Sequence, residues 1–178
     1  MAEGTSPLIL AIDAGHQPTF DLLLEARADA NAVCSTGESP LMLSAFFADV
    51  EMVLKLINAG AHVNFADDRR RTPLTNAIPF RDERLEFGEE HLTDVFATVT
   101  ALTAAGAQLD AQTTDGVTAS QMAEEAYPEA YCEDNYGRQS RAIRRSLLRL
   151  LVPLGHKFSP TSPKYSPTSP TPSTHQPH

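Results

Sequence analysis

Apolar and polar positions recur along most of this chain with the period of a helix. Phe20, Leu22, Leu23 and Leu24 form one apolar stripe, and Val50, Val53, Leu54, Leu56 and Ile57 form a second. Such stripes predict amphipathic helices, each with one face to bury. Ahead of each stripe, and once more further on, Ser or Thr precedes Pro: Ser6-Pro7, Ser39-Pro40 and Thr72-Pro73. The hydroxyl suits an N-cap and Pro suits the first helical position, so a helix is predicted to open at each. Gly60 and Gly106 follow the second helices and fit left-handed C-caps. A last amphipathic helix is predicted over 138–151, where Ile143, Leu147, Leu150 and Leu151 recur at helical spacing. Its apolar face is expected to dock on the third repeat. From Ser159 onward no aliphatic residue remains to bury, and no packed structure is expected there.

The pattern is a true repeat. Gly4-Thr5-Ser6-Pro7-Leu8 returns as Gly37-Glu38-Ser39-Pro40-Leu41, with a period of 37 − 4 = 33. The closing phrase Arg27-Ala28-Asp29-Ala30-Asn31 returns as Gly60-Ala61-His62-Val63-Asn64 with the same period. A third copy opens at Arg70-Arg71-Thr72-Pro73-Leu74 and closes at Gly106-Ala107-Gln108-Leu109-Asp110, and a degenerate fourth opens at Gly116-Val117-Thr118-Ala119-Ser120. One helix pair cannot cover its own apolar face, so neighbours must stack.

In these motifs residues 4–157 resemble the ankyrin-repeat family, whose unit is a β-turn followed by two antiparallel helices. The resemblance implies an all-α solenoid of about four units, at about 4–36, 37–69, 70–115 and 116–157, within a domain over 1–157. The family's His after Thr-Pro-Leu is replaced in every copy, by Ile9, Met42, Thr75 and Gln121. Its hydrogen bond between helix and hairpin is expected to be lost. The third copy is long: Gly106 follows Gly60 by 106 − 60 = 46, and the excess is expected between its helices, around Pro79 to Leu92. The fourth carries extra residues over 127–137. Insertions in such proteins emerge as loops, either as neutral drift or as binding elements.

The net charge of −9 divides in two. Residues 1–137 hold 7 Lys/Arg against all 23 Asp/Glu (7 − 23 = −16), while residues 138–178 hold 7 Lys/Arg and no acid. The basic block is centred on Arg138, Arg141, Arg144, Arg145 and Arg149. It reads as a capping helix with a solvated arginine face, or as a docking surface for acidic or phosphorylated partners. A nucleic-acid partner is not expected of a chain this acidic. No run is long enough to span a membrane, and Met1-Ala2-Glu3-Gly4 lacks a signal-peptide pattern. Cys34 and Cys132 read as free thiols in a reducing compartment. The expected setting is intracellular, cytoplasmic or nuclear.

Two seven-residue units close the chain: Phe158-Ser159-Pro160-Thr161-Ser162-Pro163-Lys164 and Tyr165-Ser166-Pro167-Thr168-Ser169-Pro170-Thr171. They resemble the heptads of the C-terminal domain of the largest RNA polymerase II subunit. Such a tail over 158–178 is expected to be disordered and biased to polyproline II. Ser159, Ser162, Ser166 and Ser169 each precede Pro and are candidate phosphorylation sites. The resemblance implies heptad-binding proteins or proline-directed kinases as partners; the alternative is that the tail is only a linker or an appended segment.

The ankyrin resemblance also places partner contacts at hairpin tips and on the first helices. Here that means Ser35, Thr36 and Glu38 in copy two, Asp68, Arg69 and Arg71 in copy three, and Thr114, Asp115 and Val117 in copy four. Phe46, Phe47 and Phe80 join them at the ends of the first helices. Adjacent Phe46 and Phe47 cannot both face inward, so one is expected at the surface as a hot-spot candidate. Arg70 stands at the glycine position of its turn, and an irregular hairpin is expected there. Catalytic constellations are thin. Glu89, Glu90, His91 and Asp94 read as a solvated helix start, and His16 as structural. No enzyme, cofactor or metal site is expected, and the function class left is a protein-binding scaffold.

Overall fold

The computed structural model describes residues 6–78, 89–126 and 137–151. Within them the chain folds into eight helices: α1 (Pro7–Asp13), α2 (Gln17–Glu25), α3 (Pro40–Phe46), α4 (Val50–Asn58), α5 (Pro73–Asn76), α6 (Glu89–Ala104), α7 (Ala119–Ala126) and α8 (Gly137–Leu151). No strand occurs among the described residues, apart from one isolated antiparallel bridge between Gln112 and Thr118.

The caps follow the sequence. Ser6 Oγ accepts from Ile9 N at 3.4 Å, Ser39 Oγ from Met42 N at 3.3 Å and Thr72 Oγ1 from Thr75 N at 3.3 Å. Each satisfies one orphan donor of the first turn. Second helices are capped by other chemistry: His16 Nδ1 accepts from Thr19 N at 3.2 Å, and Asp49 Oδ1 from Met52 N at 2.9 Å. His16 is thus structural, as its place in the repeat implies. The missing family histidine has a different outcome in each half. Ile9 and Met42 are simply buried apolar residues. Thr75 Oγ1 instead accepts from Thr72 N at 2.7 Å, and Gln121 Oε1 from Thr118 N at 2.9 Å. Units three and four therefore close capping boxes, and a local hydrogen bond stands at that position after all.

The pairs α1–α2 and α3–α4 are antiparallel neighbours, and α1, α3 and α5 stack side by side. Helix α6 packs between α4 and α8, and α8 also meets α7. The basic helix therefore docks on the third unit, as its apolar spacing predicts. One continuous core runs through the stack and includes Leu8, Phe20, Leu41, Met52, Leu56, Leu74, Val95, Leu102, Leu147 and Leu151. Leu8, Leu41 and Leu74 are the same residue of successive units, each buried. Burial of each such side chain contributes about 2 kcal/mol.

Side-chain amides stitch the units together. Asn31 donates through Nδ2 to Gly60 O at 3.2 Å and accepts through Oδ1 from His62 N at 2.8 Å. Asn64 does the same to the next unit, donating to Gly106 O at 3.0 Å and accepting from Gln108 N at 2.8 Å.

The extra length of the third unit is partly helix. Helix α6 has 16 residues against 9 in α4, so 89–92 belong to a helix rather than to a loop between helices. The rest of that expected insertion, 79–88 with Phe80, lies outside the described residues, as do 127–136.

Candidate functional site

Three hairpin tips lead into α3, α5 and α7, and all three close with the same backbone bonds. Cys34 N donates to Glu38 O at 3.0 Å and Gly37 N to Cys34 O at 2.9 Å. In the next unit Asp67 N donates to Arg71 O at 3.0 Å and Arg70 N to Asp67 O at 2.8 Å. In the last, Thr113 N donates to Val117 O at 3.1 Å and Gly116 N to Thr113 O at 2.9 Å. The hairpin carrying Arg70 is therefore regular, contrary to expectation. Arg70 adopts the left-handed conformation itself, with φ 57 where Gly37 has φ 82.

What permits this is Asp67, which sequence reasoning missed. Its Oδ1 accepts from Arg69 N at 2.9 Å and from Arg71 N at 2.7 Å, while Oδ2 accepts from Arg71 Nε at 2.7 Å. The carboxylate is nearly inaccessible to solvent and is balanced by the Arg71 guanidinium. Arg71 Nη2 also reaches back to Glu38 Oε1 at 3.1 Å, tying one tip to the previous one. An Asp two residues before one turn amide and four before another is the signal that could have found it.

The candidates fall into two groups. Glu38 and Arg71 satisfy each other and are half-buried. Asp68, Arg69 and Asp115 are exposed, as are Ser35, Thr36 and Thr114; Val117 is half-buried. Thr114 N donates to Arg69 O at 2.9 Å, so the third and fourth tips lie side by side and present Asp68, Arg69, Arg70 and Asp115 together.

Phe46 and Phe47 correct an expectation. Not one but both lie at the surface, 56% and 45% exposed, with their rings edge to face at 5.3 Å. Helix α3 contacts α1, α4 and α5 through its other sides and buries Leu41, Met42, Ser44 and Ala45. Among the described residues Phe46 and Phe47 make up the face left open, while half-buried Leu43 packs against the core. Phe47 ends α3 at its C-cap and so turns away from the core instead of into it.

These stacked helix pairs with hairpin tips point to a known repeat. Residues 8–86 match the family model of ankyrin repeats, in three copies. The chain is also similar to neurogenic locus notch homolog protein 1 of Homo sapiens, at 35% identity over 74 residues, or 42% of its length. It is similar as well to the inactive serine/threonine-protein kinase TEX14 of Mus musculus, at 29% identity over 82 residues, or 46% of this chain. The chain spans only 3% and 6% of those relatives. The family so matched is one of protein–protein interaction modules.

Beyond the ankyrin segment, α8 buries Leu147, Leu148 and Leu151 and exposes Arg145 and Arg149. Arg144 is half-buried and partnered. The side chains of Arg138 and Arg141 lie outside the described residues, and so do Ser159, Ser162, Ser166 and Ser169. Cys34 is a free, half-buried thiol whose Sγ lies 2.8 Å from Thr36 Oγ1. No group of three or more His, Cys, Asp or Glu side chains is placed to hold a metal among the described residues. No helix among them is long and apolar enough to cross a membrane.

Proposed function

We propose that the chain is a non-catalytic scaffold that grips one protein through its ankyrin surface and presents its tail to another. The observation that carries the first half is the open face of α3. Two phenylalanines exposed to water on a helix held on three sides are covered by nothing among the described residues, and a protein partner that buries them removes that apolar surface from water. The neighbouring tips supply Asp68, Arg69 and Asp115 as exposed charges of both signs, which fix register and discriminate partners. Glu38 and Arg71 hold the tips in place rather than meeting the partner directly.

The second half is supported by sequence. The heptads at 158–171, with Ser-Pro at Ser159, Ser162, Ser166 and Ser169, suit heptad readers and proline-directed kinases. A scaffold of this kind brings such a factor to whatever the ankyrin surface holds.

The test compares three forms of the protein in nuclear extract, before and after treatment with a proline-directed kinase. These are the full chain, a truncation ending at Lys157, and the double variant Phe46→Ala/Phe47→Ala. The truncation is expected to lose heptad readers and keep the remaining partners, and the double variant to do the reverse. Identical partners with and without the tail would leave a plain ankyrin binding module with a linker. Indifference to the double substitution would remove the α3 face from the binding surface.

A further inference from the structure

Contacts between the first two units set a register on the second helices. Gln17 Nε2 donates to Glu51 Oε1 at 3.4 Å, and Lys55 Nζ meets Asp21 Oδ1 at 2.7 Å. Positions 17 and 21 of α2 thus look toward the following unit, and 51 and 55 of α4 look back. One repeat earlier, the positions that look back are Pro18 and Leu22. The first helices tell the same story. Asn76 Nδ2 donates to Met42 O at 3.5 Å, so position 76 looks back from α5. Its equivalents are Leu43 on α3 and Leu10 on α1. In the first unit these backward-looking positions meet no helix pair: Leu22 is 66% exposed and Leu10 54%, with Pro18 and Thr19 exposed beside Leu22.

Stacked repeats remain soluble when their end units turn a polar face outward. The far end of this stack does so. Helix α8 buries Leu147, Leu148 and Leu151 at the spacing by which α4 buries Met52, Val53 and Leu56. That register sets Arg145 and Arg149 at the forward-looking positions of α8, and both are exposed. One end of the described stack closes on arginine, the other on leucine.

We propose that the Leu10–Leu22 face is a two-fold interface between two copies of this chain. It continues, in position, the surface by which the second and third units join their predecessors, with Pro18, Leu22 and Leu10 where those units carry Glu51, Lys55 and Asn76. Charge selects the arrangement. A head-to-tail stack sets Arg145 and Arg149 of one copy against Leu22 of the next, leaving the arginines desolvated without partners. A two-fold contact sets α2 antiparallel to its counterpart, with Leu22 on Leu22 and Glu25 opposite Pro18 and Thr19. Glu25 is the sole charge among the exposed residues of α2, so no like charges meet along that helix pair. Such an interface is self-complementary and closes at two copies. A face two helices wide is small for an obligate interface, so dissociation in the micromolar range or weaker is expected.

Sedimentation velocity of the full chain, from low to several hundred micromolar, reads the outcome. A reversible monomer–dimer equilibrium is expected, with Leu22→Glu raising the dissociation constant at least ~10-fold. Phe46→Ala/Phe47→Ala should leave that constant unchanged, which separates this proposal from the binding role of α3. Because Leu22 is exposed, the charged variant should keep its helical circular dichroism. A single monomeric species at every concentration, or a dimer indifferent to Leu22→Glu, overturns the interface. In a Cys34→Ser/Cys132→Ser background, Leu22→Cys should form an interchain disulfide under mild oxidation. Its failure to form overturns the two-fold geometry.

Discussion

The second and third hairpin tips share a backbone and differ in what holds it. At Cys34–Glu38 a glycine supplies the left-handed residue, and the side-chain support inside the turn is the Thr36 hydroxyl, 2.8 Å from the Cys34 thiol and donating to Glu38 Oε2 at 3.0 Å. At Asp67–Arg71 an arginine takes the same conformation, and a buried carboxylate receives two backbone N–H groups and a guanidinium. A non-glycine residue at positive φ costs about 1 kcal/mol, and it persists where surrounding bonds over-determine the turn. The same shape is thus reached once by removing a side chain and once by adding a network. The second route leaves Arg69 and Arg70 free to project from the tip, a charge pattern the glycine tip lacks.

Four substitutions sharpen that comparison. Asp67→Ala should be the most damaging, at about 2–3 kcal/mol, since it removes charge-assisted bonds and leaves turn donors unpaired. The matching Cys34→Ala should cost well under half as much, and denaturant midpoints of the two variants decide the point. Gly37→Ala should cost about 1–2 kcal/mol through conformation alone, because the added Cβ would stand 3.8 Å from Asp67 Cβ, an ordinary contact. Arg70→Gly should stabilise by about 1 kcal/mol, and by more once Asp67 is gone. Equal effects of Arg70→Gly with and without Asp67, in a double-mutant cycle, would show that the carboxylate does not support the strained residue.

The smallest effect concerns the outer helices, where Lys55 bridges the first two units. Its ammonium is held above the ordinary value of 10.5, first by its hydrogen bond to Asp21 and then by Glu51. A raised value means the charged form is favoured in the folded state. This stabilisation is present below pH 10.5 and lost as pH rises through the folded value. Lys55→Met should therefore differ slightly from the parent at neutral pH, with the two converging in strongly alkaline solution. A gap that instead widens with pH would show that the bridge does not act through this charge.

Much of this was legible in the sequence because each repeat states its own caps and stripes. Ser6, Ser39 and Thr72 act as N-caps, and the arginine helix docks through Leu147 and Leu151 on the third unit. What escaped was anything decided by two units at once. Asp67 reads as one more acidic residue until Arg71 folds onto it. Adjacent on a helix, Phe46 and Phe47 would need one inward ring, but the helix ends between them and the neighbouring helices occupy its other sides. The exposed Leu22 lies in an apolar stripe whose inward members, Phe20 and half-buried Leu23 and Leu24, hide its direction. Periodicity names a face; only the stack shows which faces find company.

The asparagine stitches have a mechanical corollary. Asn31 and Asn64 each clasp a carbonyl and an amide of the following unit, but their counterpart in the third unit is Asp110, whose side chain has no N–H to donate. Pulled from its two ends, the rod should unzip from the arginine side, with α7 and α8 peeling away before the first two pairs let go. Amide exchange slower in α2 and α4 than in α8 would be the quiescent signature of that polarity. A tether hung from the last pair thus loads first the seam that carries an aspartate in place of the asparagine.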